Sequence, residues 1–193
     1  VQEKMSGKRG KTFTLEIKTP LMGKRAHEVM LILKDFWETK ETVEDLLREQ
    51  DQLLVEIYEN SVEKLDGLDI LISFLNENKI RKCIGTSSRR FLVDVLIQKY
   101  DLEKEFEFII SGDMVQKGKP DPEIYNKCLE RLGLTGSDCL VLEDSLNGIK
   151  SGKAAKCRTC AIPSIFTKHE DFSGTDIIAE NLSDQKILDF LIK

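Results

Sequence analysis

Cys139-Leu140-Val141-Leu142-Glu143-Asp144-Ser145-Leu146-Asn147-Gly148 runs from four apolar residues through two carboxylates into a serine-led helix start. A short, unbroken apolar run closed by turn residues is the pattern of a parallel strand covered on both faces. In open α/β sheets, ligands lie just beyond the carboxyl ends of the strands, and Glu143 and Asp144 fall there. Ser145 is placed to cap the helix that follows. Adjacent carboxylates repel unless positive charge stands beside them, and a divalent cation is the usual answer. A surface loop carrying two acids is the plain alternative, and the neighbouring segments bear on that choice.

Two further turns read as partners of this one. The apolar run Ile80–Gly85 predicts a strand that ends in Thr86-Ser87-Ser88, before a helix over 89–100. Hydroxyls and backbone N–H groups at a helix start can bind an anion, or can simply cap the helix. Farther on lies Gly118-Lys119-Pro120-Asp121-Pro122. Proline after Lys119 keeps that residue out of helical geometry. Asp121, Pro122 and Glu123 then open a helix with a cap, a first-position proline and an acid in the first turn. The lysine is therefore expected to sit fixed beside a helix start, where an ammonium can offset phosphate charge; a solvated loop lysine is the alternative.

Between and after these motifs, strands are expected at 106–110, 139–142, 157–162 and near Ile177, with helices over 69–75, from Asp121 to Leu132, to about Ala155, and from Ser183. Strands alternating with helices imply a parallel, helix-covered sheet. The first sixty residues differ. Ala26, Val29, Met30, Leu33 and Trp37 form one helical stripe. Thr42 with Asp45 three residues on starts a second helix in the manner of a capping box. No buried-type strand is visible there.

The 193 residues carry a net charge of -5, are 40% hydrophobic and 33% charged, and contain no long basic run. Nucleic-acid binding is disfavoured, and no apolar run is long enough for a transmembrane helix. The N-terminal residues show no signal-peptide core. Five scattered cysteines suggest reduced, cytoplasmic usage with each acting as a small hydrophobe. Cys157 and Cys160 spell CxxC, but residues three apart in a strand point to opposite faces, which weighs against a metal or redox role. The lack of any GxGxxG weighs against a dinucleotide-binding domain.

Thr86, Lys119 and Glu143-Asp144, in this order and each after its own βα element, resemble the second, third and fourth motifs of the haloacid-dehalogenase-like superfamily of phosphatases and phosphomutases. Lys11-Thr12-Phe13, Met22-Gly23-Lys24-Arg25-Ala26, Gly118–Pro122 and Leu142–Gly148 resemble the β-phosphoglucomutase-like branch that includes pseudouridine-5'-phosphatase and plant glycerol-3-phosphate phosphatase. The resemblance implies a Rossmann-like α/β core over residues 66–193 and a helical cap over 1–65. It implies Mg²⁺-dependent phosphatase chemistry on a small phosphorylated metabolite, with phosphomutase activity as the alternative. Thr86 and Ser87 would bind the phosphoryl group and Lys119 would offset its charge. Asp144 and Glu143 would serve the Mg²⁺, and Lys24 and Arg25 would contact substrate from the cap. A cytoplasmic monomer with no nucleic-acid or membrane partner is expected.

The family's first motif, an Asp-x-Asp after a central strand, is not found: no Asp-x-Asp follows an apolar run in these residues. One Asp of that pair is the nucleophile that forms an aspartyl-phosphate. By typical element lengths, about 20 to 30 upstream residues would hold that strand and loop. The expectation is a sheet lacking its first core strand and a chain without measurable phosphatase activity, which only binds phosphate or a partner.

Overall fold

The change of periodicity after the first sixty residues corresponds to two units, Val1–Val62 and Glu63–Lys193. The structure, a computed structural model, describes residues 1–21 and 26–192. Lys24 and Arg25, expected from sequence to face substrate, lie outside the described residues.

The first unit is helical throughout its described residues: α1 (Gln2–Lys8), α2 (Leu15–Lys18), α3 (Ala26–Trp37) and α4 (Val43–Ser61). Thr42 and Asp45 form the expected capping box. The Thr42 hydroxyl accepts from Asp45 N–H at 3.1 Å, and the Asp45 carboxylate accepts from Thr42 N–H at 3.2 Å. Val29, Met30, Leu33 and Trp37 of α3 pack with Met5, Leu46 and Leu53 in one core. The buried Trp37 indole donates to the fully buried Ser6 hydroxyl at 2.9 Å. On the rim, the Arg9 guanidinium bridges Glu41 and Glu49 and stacks 4.7 Å from the Trp37 ring centroid.

The second unit follows the predicted alternation: α5 (Leu68–Glu77), β1 (Ile84–Gly85), α6 (Arg90–Lys99), β2 (Ile109–Ile110), α7 (Glu123–Leu132), β3 (Leu140–Glu143), α8 (Leu146–Ala154), β4 (Arg158–Ala161), β5 (Ile177–Ile178) and α9 (Gln185–Leu191). All strand pairings among the described residues are parallel. They form two separate pieces, β1-β2 and β3-β4-β5. Cys157 and Cys160 lie in different apolar clusters, as their opposite-facing positions require.

Two strands are shorter than their apolar runs, β1 beginning at Ile84 rather than Ile80 and β2 at Ile109 rather than Phe106. Their pairing is one-sided. Glu107 N–H reaches Lys82 carbonyl at 3.0 Å and Ile84 N–H reaches Phe108 carbonyl at 3.2 Å, so a ladder exists on the β2 side. Because parallel strands alternate their hydrogen bonds from side to side, Cys83 and Gly85 turn their peptide groups the other way. On β3, Cys139 and Glu143 carbonyls accept from Arg158 and Ile162 on the β4 side, so Leu140 and Leu142 turn theirs away from β4. Cys83, Gly85, Leu140 and Leu142 all line a cleft of about 540 Å³ between the two pieces. The sheet is thus open in its middle, with apolar walls. Among the described residues no helix is long and apolar enough to cross a membrane.

Replacing Ser6 by Ala should leave the Trp37 indole N–H buried without a partner, at a cost of about 1–3 kcal/mol. The measurement is a lower urea midpoint at unchanged slope; an unchanged midpoint would show that the bond contributes nothing net.

Candidate active site

The turn after β1 is closed on itself. Thr86 N–H continues the ladder to Ile110 carbonyl at 3.0 Å, and its hydroxyl accepts from Ser88 N–H at 3.1 Å. The first N–H of α6, on Arg90, is taken by the Asp113 carboxylate at 3.2 Å, which holds that acid below its ordinary range together with the Ser111 hydroxyl. The anion-binding reading of this helix start assumed N–H groups without partners, and two of them are already satisfied within the protein. Thr86 itself is half-buried and Ser87 exposed at the end of the strand.

Lys119 is delivered by a loop that its own flanks hold in shape. The Glu123 carboxylate accepts from Gln116 and Lys117 N–H at 3.0 and 2.8 Å. The helix opens at Glu123 with Pro122 in the cap position rather than at the first helical one, and Asp121, one residue earlier, accepts from Glu123 N–H at 3.0 Å instead of serving as the cap itself. The Lys119–Pro120 peptide is cis. The fully buried Ser151 hydroxyl of α8 donates to Asp121 carbonyl at 2.7 Å, tying this loop to the helix that follows the acidic strand.

The ammonium at the end of that loop is nearly buried, its side chain 11% exposed. It donates to the Gly85 carbonyl at 3.0 Å, one residue before Thr86, and to the Glu143 carboxylate, which is itself only 8% exposed. It also lies 5.0 Å from the centroid of the Tyr125 ring. The Tyr125 hydroxyl donates to the same Glu143 oxygen. Burial and the nearby carboxylate push the Tyr125 phenol well above its ordinary value. Lys119 thus joins the end of β1, the first turn of α7 and the end of β3.

Glu143 can fold inward only because residue 148 is glycine. A side-chain carbon there would overlap the Glu143 carboxylate. The Ser145 hydroxyl caps α8 by accepting from Gly148 N–H at 3.2 Å, as its sequence position predicts. Asp144 points differently: it is exposed, and its carbonyl accepts from the Thr167 hydroxyl at 2.5 Å. The N–H of Leu146 is taken by the Glu170 carboxylate at 2.7 Å.

The structure therefore brings Lys119 against Glu143, beside the peptide that leads into Thr86, with Asp144 next in sequence. Tyr125, Gly148, Asp113 and Glu170 are participants that the sequence did not single out. A tyrosine on a buried helical face needs a partner for its hydroxyl, and that signal was available for Tyr125. Among the described residues no three His, Cys, Asp or Glu side chains converge as a ready-made metal site.

Two outcomes test this geometry. Gly148→Ala should displace Glu143 or overpack α8, destabilising the α/β unit by about 1–3 kcal/mol in chemical denaturation; a neutral result would show that Glu143 has room to move. The raised Tyr125 pKa means that above pH ~10 the unfolded chain releases a proton that the folded chain retains. Stability should therefore be fully present below pH ~10 and fall as pH rises beyond it. Tyr125→Phe should flatten that alkaline loss, measured by denaturation between pH 8 and 11, where ~1.4 kcal/mol corresponds to each unit of pKa difference.

Residues 3–162 match the haloacid dehalogenase-like hydrolase family. A phosphorylated carbohydrates phosphatase of Thermotoga maritima is 30% identical over 146 residues, 76% of this chain and 68% of that protein. A probable pseudouridine-5'-phosphatase of Drosophila melanogaster is 29% identical over 92% of this chain and 79% of its own. The chain spans less than two thirds of several of the curated relatives it matches, 64% of Rhodobacter capsulatus CbbY for example. Among solved structures, a putative β-phosphoglucomutase of Thermotoga maritima superposes with a TM-score of 0.79 at 24% identity, covering 99% of this chain and 88% of that one, a likeness of fold. With most of its length matched by the family, and parallel strands ending at Thr86 and at Glu143-Asp144 with Lys119 between them, the chain belongs to the haloacid dehalogenase-like hydrolases.

Proposed function

We propose that the complete protein hydrolyses small phosphate monoesters, of the sugar- or nucleotide-phosphate kind named for its relatives, and that these residues form its phosphate-binding half. The observation that carries this reading is the seating of Lys119. An ammonium buried between the end of β1 and Glu143 can offset the charge of a phosphoryl group bound at those tips. Thr86 and Ser87 are assigned to hold phosphoryl oxygens, Thr86 by turning its hydroxyl from Ser88 N–H. The helical unit takes the family's role as a cap that selects the leaving group.

Mg²⁺ suits the donor chemistry at the end of β3: hard carboxylate oxygens, few in number, with water completing the shell. Asp144, exposed and held by its own carbonyl contact, would bind it directly. Glu143, one oxygen of which is engaged by Lys119 and Tyr125, would act through water. When bound, the ion would supply positive charge that Lys119 alone does not. Glu143 keeps the Lys119 ammonium in place and aimed, and Tyr125 fixes Glu143.

The nucleophile is assigned to a further strand seated in the cleft between β1 and β3. The supporting features are the two peptide edges that face that cleft and the lack of an Asp-x-Asp after any apolar run. Phosphate-monoester hydrolysis needs accelerations up to ~10²¹, which positioning charge cannot supply without a nucleophile.

The 193-residue chain should bind inorganic phosphate in the presence of Mg²⁺ by titration calorimetry, yet show no turnover of a small phosphate ester. Lys119→Met should weaken that binding about tenfold or more, the worth of a charged hydrogen bond. Turnover that disappears in Asp144→Asn would disprove the need for a further strand. Phosphate binding unaffected by Lys119→Met would disprove the site.

A further inference from the structure

Cys83 and Cys128 belong to different elements and pack in one apolar cluster with Tyr125, the neighbour of the Lys119 ammonium. Cys83 stands at the entry to β1, two residues before Gly85, and Cys128 lies on the buried face of α7, one turn after Tyr125. Both sit in one apolar cluster and both line the 540 Å³ cleft. A side-chain carbon on Gly85 would stand 3.4 Å from the Cys128 sulfur and 3.3 Å from the Tyr125 ring, so that sulfur lies over the face of β1 that Gly85 shares with Cys83, two residues before it. The two positions are 45 residues apart, 128 minus 83, so a bond between them would close a long loop.

The surroundings also separate this pair from the other thiols. The neighbouring Cys83 thiol and the Lys119 ammonium lower the Cys128 thiol, while Cys128 and burial raise Cys83. Burial pushes Cys157 up to about 11 and Cys160 up to about 12. Thiolate is the reactive form, which favours Cys128 as the attacking sulfur, with Cys83 in the same apolar cluster to resolve the product.

We propose that Cys83 and Cys128 are a reversible oxidation site that closes to a disulfide under a peroxide and fastens α7 to β1. The Cys128 thiolate attacks one peroxide oxygen, the O–O bond breaks, and hydroxide leaves and is protonated to water, giving a sulfenic acid at Cys128. The Cys83 sulfur then attacks the Cys128 sulfur. The S–O bond breaks, and the departing hydroxide takes the Cys83 proton as a second water. Two thiols lose two electrons and the peroxide gains them. The bond fixes both supports of the Lys119 ammonium, Gly85 through Cys83 and Tyr125 through Cys128. It does not depend on the phosphatase reading.

The test is treatment of the full chain with stoichiometric hydrogen peroxide, then tryptic digestion without reductant and mass spectrometry. Cleavage after Lys82, Arg89, Lys127 and Arg131 isolates each cysteine, so the expected product is peptide 83–89 joined to peptide 128–131, with two of the five free thiols lost and recovered on reduction. Cys128→Ser and Cys83→Ser should each abolish the cross-link, and Cys139→Ser should retain it. Oxidation should also raise the melting midpoint of the unmutated chain by about 5 °C or more, given the length of the closed loop, and leave Cys128→Ser unmoved. A cross-link mapping to Cys139 or Cys157 would overturn the proposal, as would overoxidation without any intramolecular bond. The wild-type peptide map decides the matter even if a serine variant fails to fold, and a midpoint that does not rise would overturn the fastening of α7 to β1.

Discussion

A nearly buried ammonium must be satisfied from several sides at once, and the α/β unit is arranged around that requirement. Burying two opposite charges costs more than their attraction returns unless further hydrogen bonds complete the set. Here the set is a backbone carbonyl from Gly85, a carboxylate from Glu143 and, behind the carboxylate, the Tyr125 hydroxyl. Each member comes from a different element. The end of β1, the start of α7 and the end of β3 are therefore held to one another by a single cation.

The loop that carries Lys119 is made rigid before it arrives. Glu123 gathers two N–H groups of the loop, Asp121 takes the Glu123 N–H, and Ser151 of α8 holds the Asp121 carbonyl. The same α8 places Gly148 under Glu143. One helix thus sets the position of both the acid and the base of the pair. A loop anchored in this way to secondary structure can hold precise geometry.

Much of this was written locally in the chain. The apolar run before Glu143, the Ser145 cap, the Thr42–Asp45 box and the alternation after Ser61 depend on neighbours within a few residues, and each appears as read. The failures are non-local. Asp113 and Glu170 occupy helix starts from loops 23 and 24 residues away, and no local pattern announces such partners. Thr86 was legible as a strand-end hydroxyl, but the neighbouring N–H groups that looked available to a ligand are spoken for. The strands near residues 80 and 106 were read too long because an apolar run records burial, while a strand also needs a partner to pair with. Gly148 was quoted within its motif, but its steric role emerges only when Glu143 turns back over the helix.

The open sheet has a directional consequence. Lys119 joins the finishing ends of β1 and β3, and Cys83 and Cys139, at their beginnings, share one apolar cluster, so both walls of the cleft run the same way. Such a cleft distinguishes the two ends of whatever it admits. A guest lying along both walls in the same sense would bring its carboxyl-terminal end to Thr86, Glu143 and Lys119, whereas one lying in the opposite sense would bring its amino-terminal end there. Because its two walls run the same way, the direction in which any polypeptide lies along the cleft decides which of its ends meets the charged cluster.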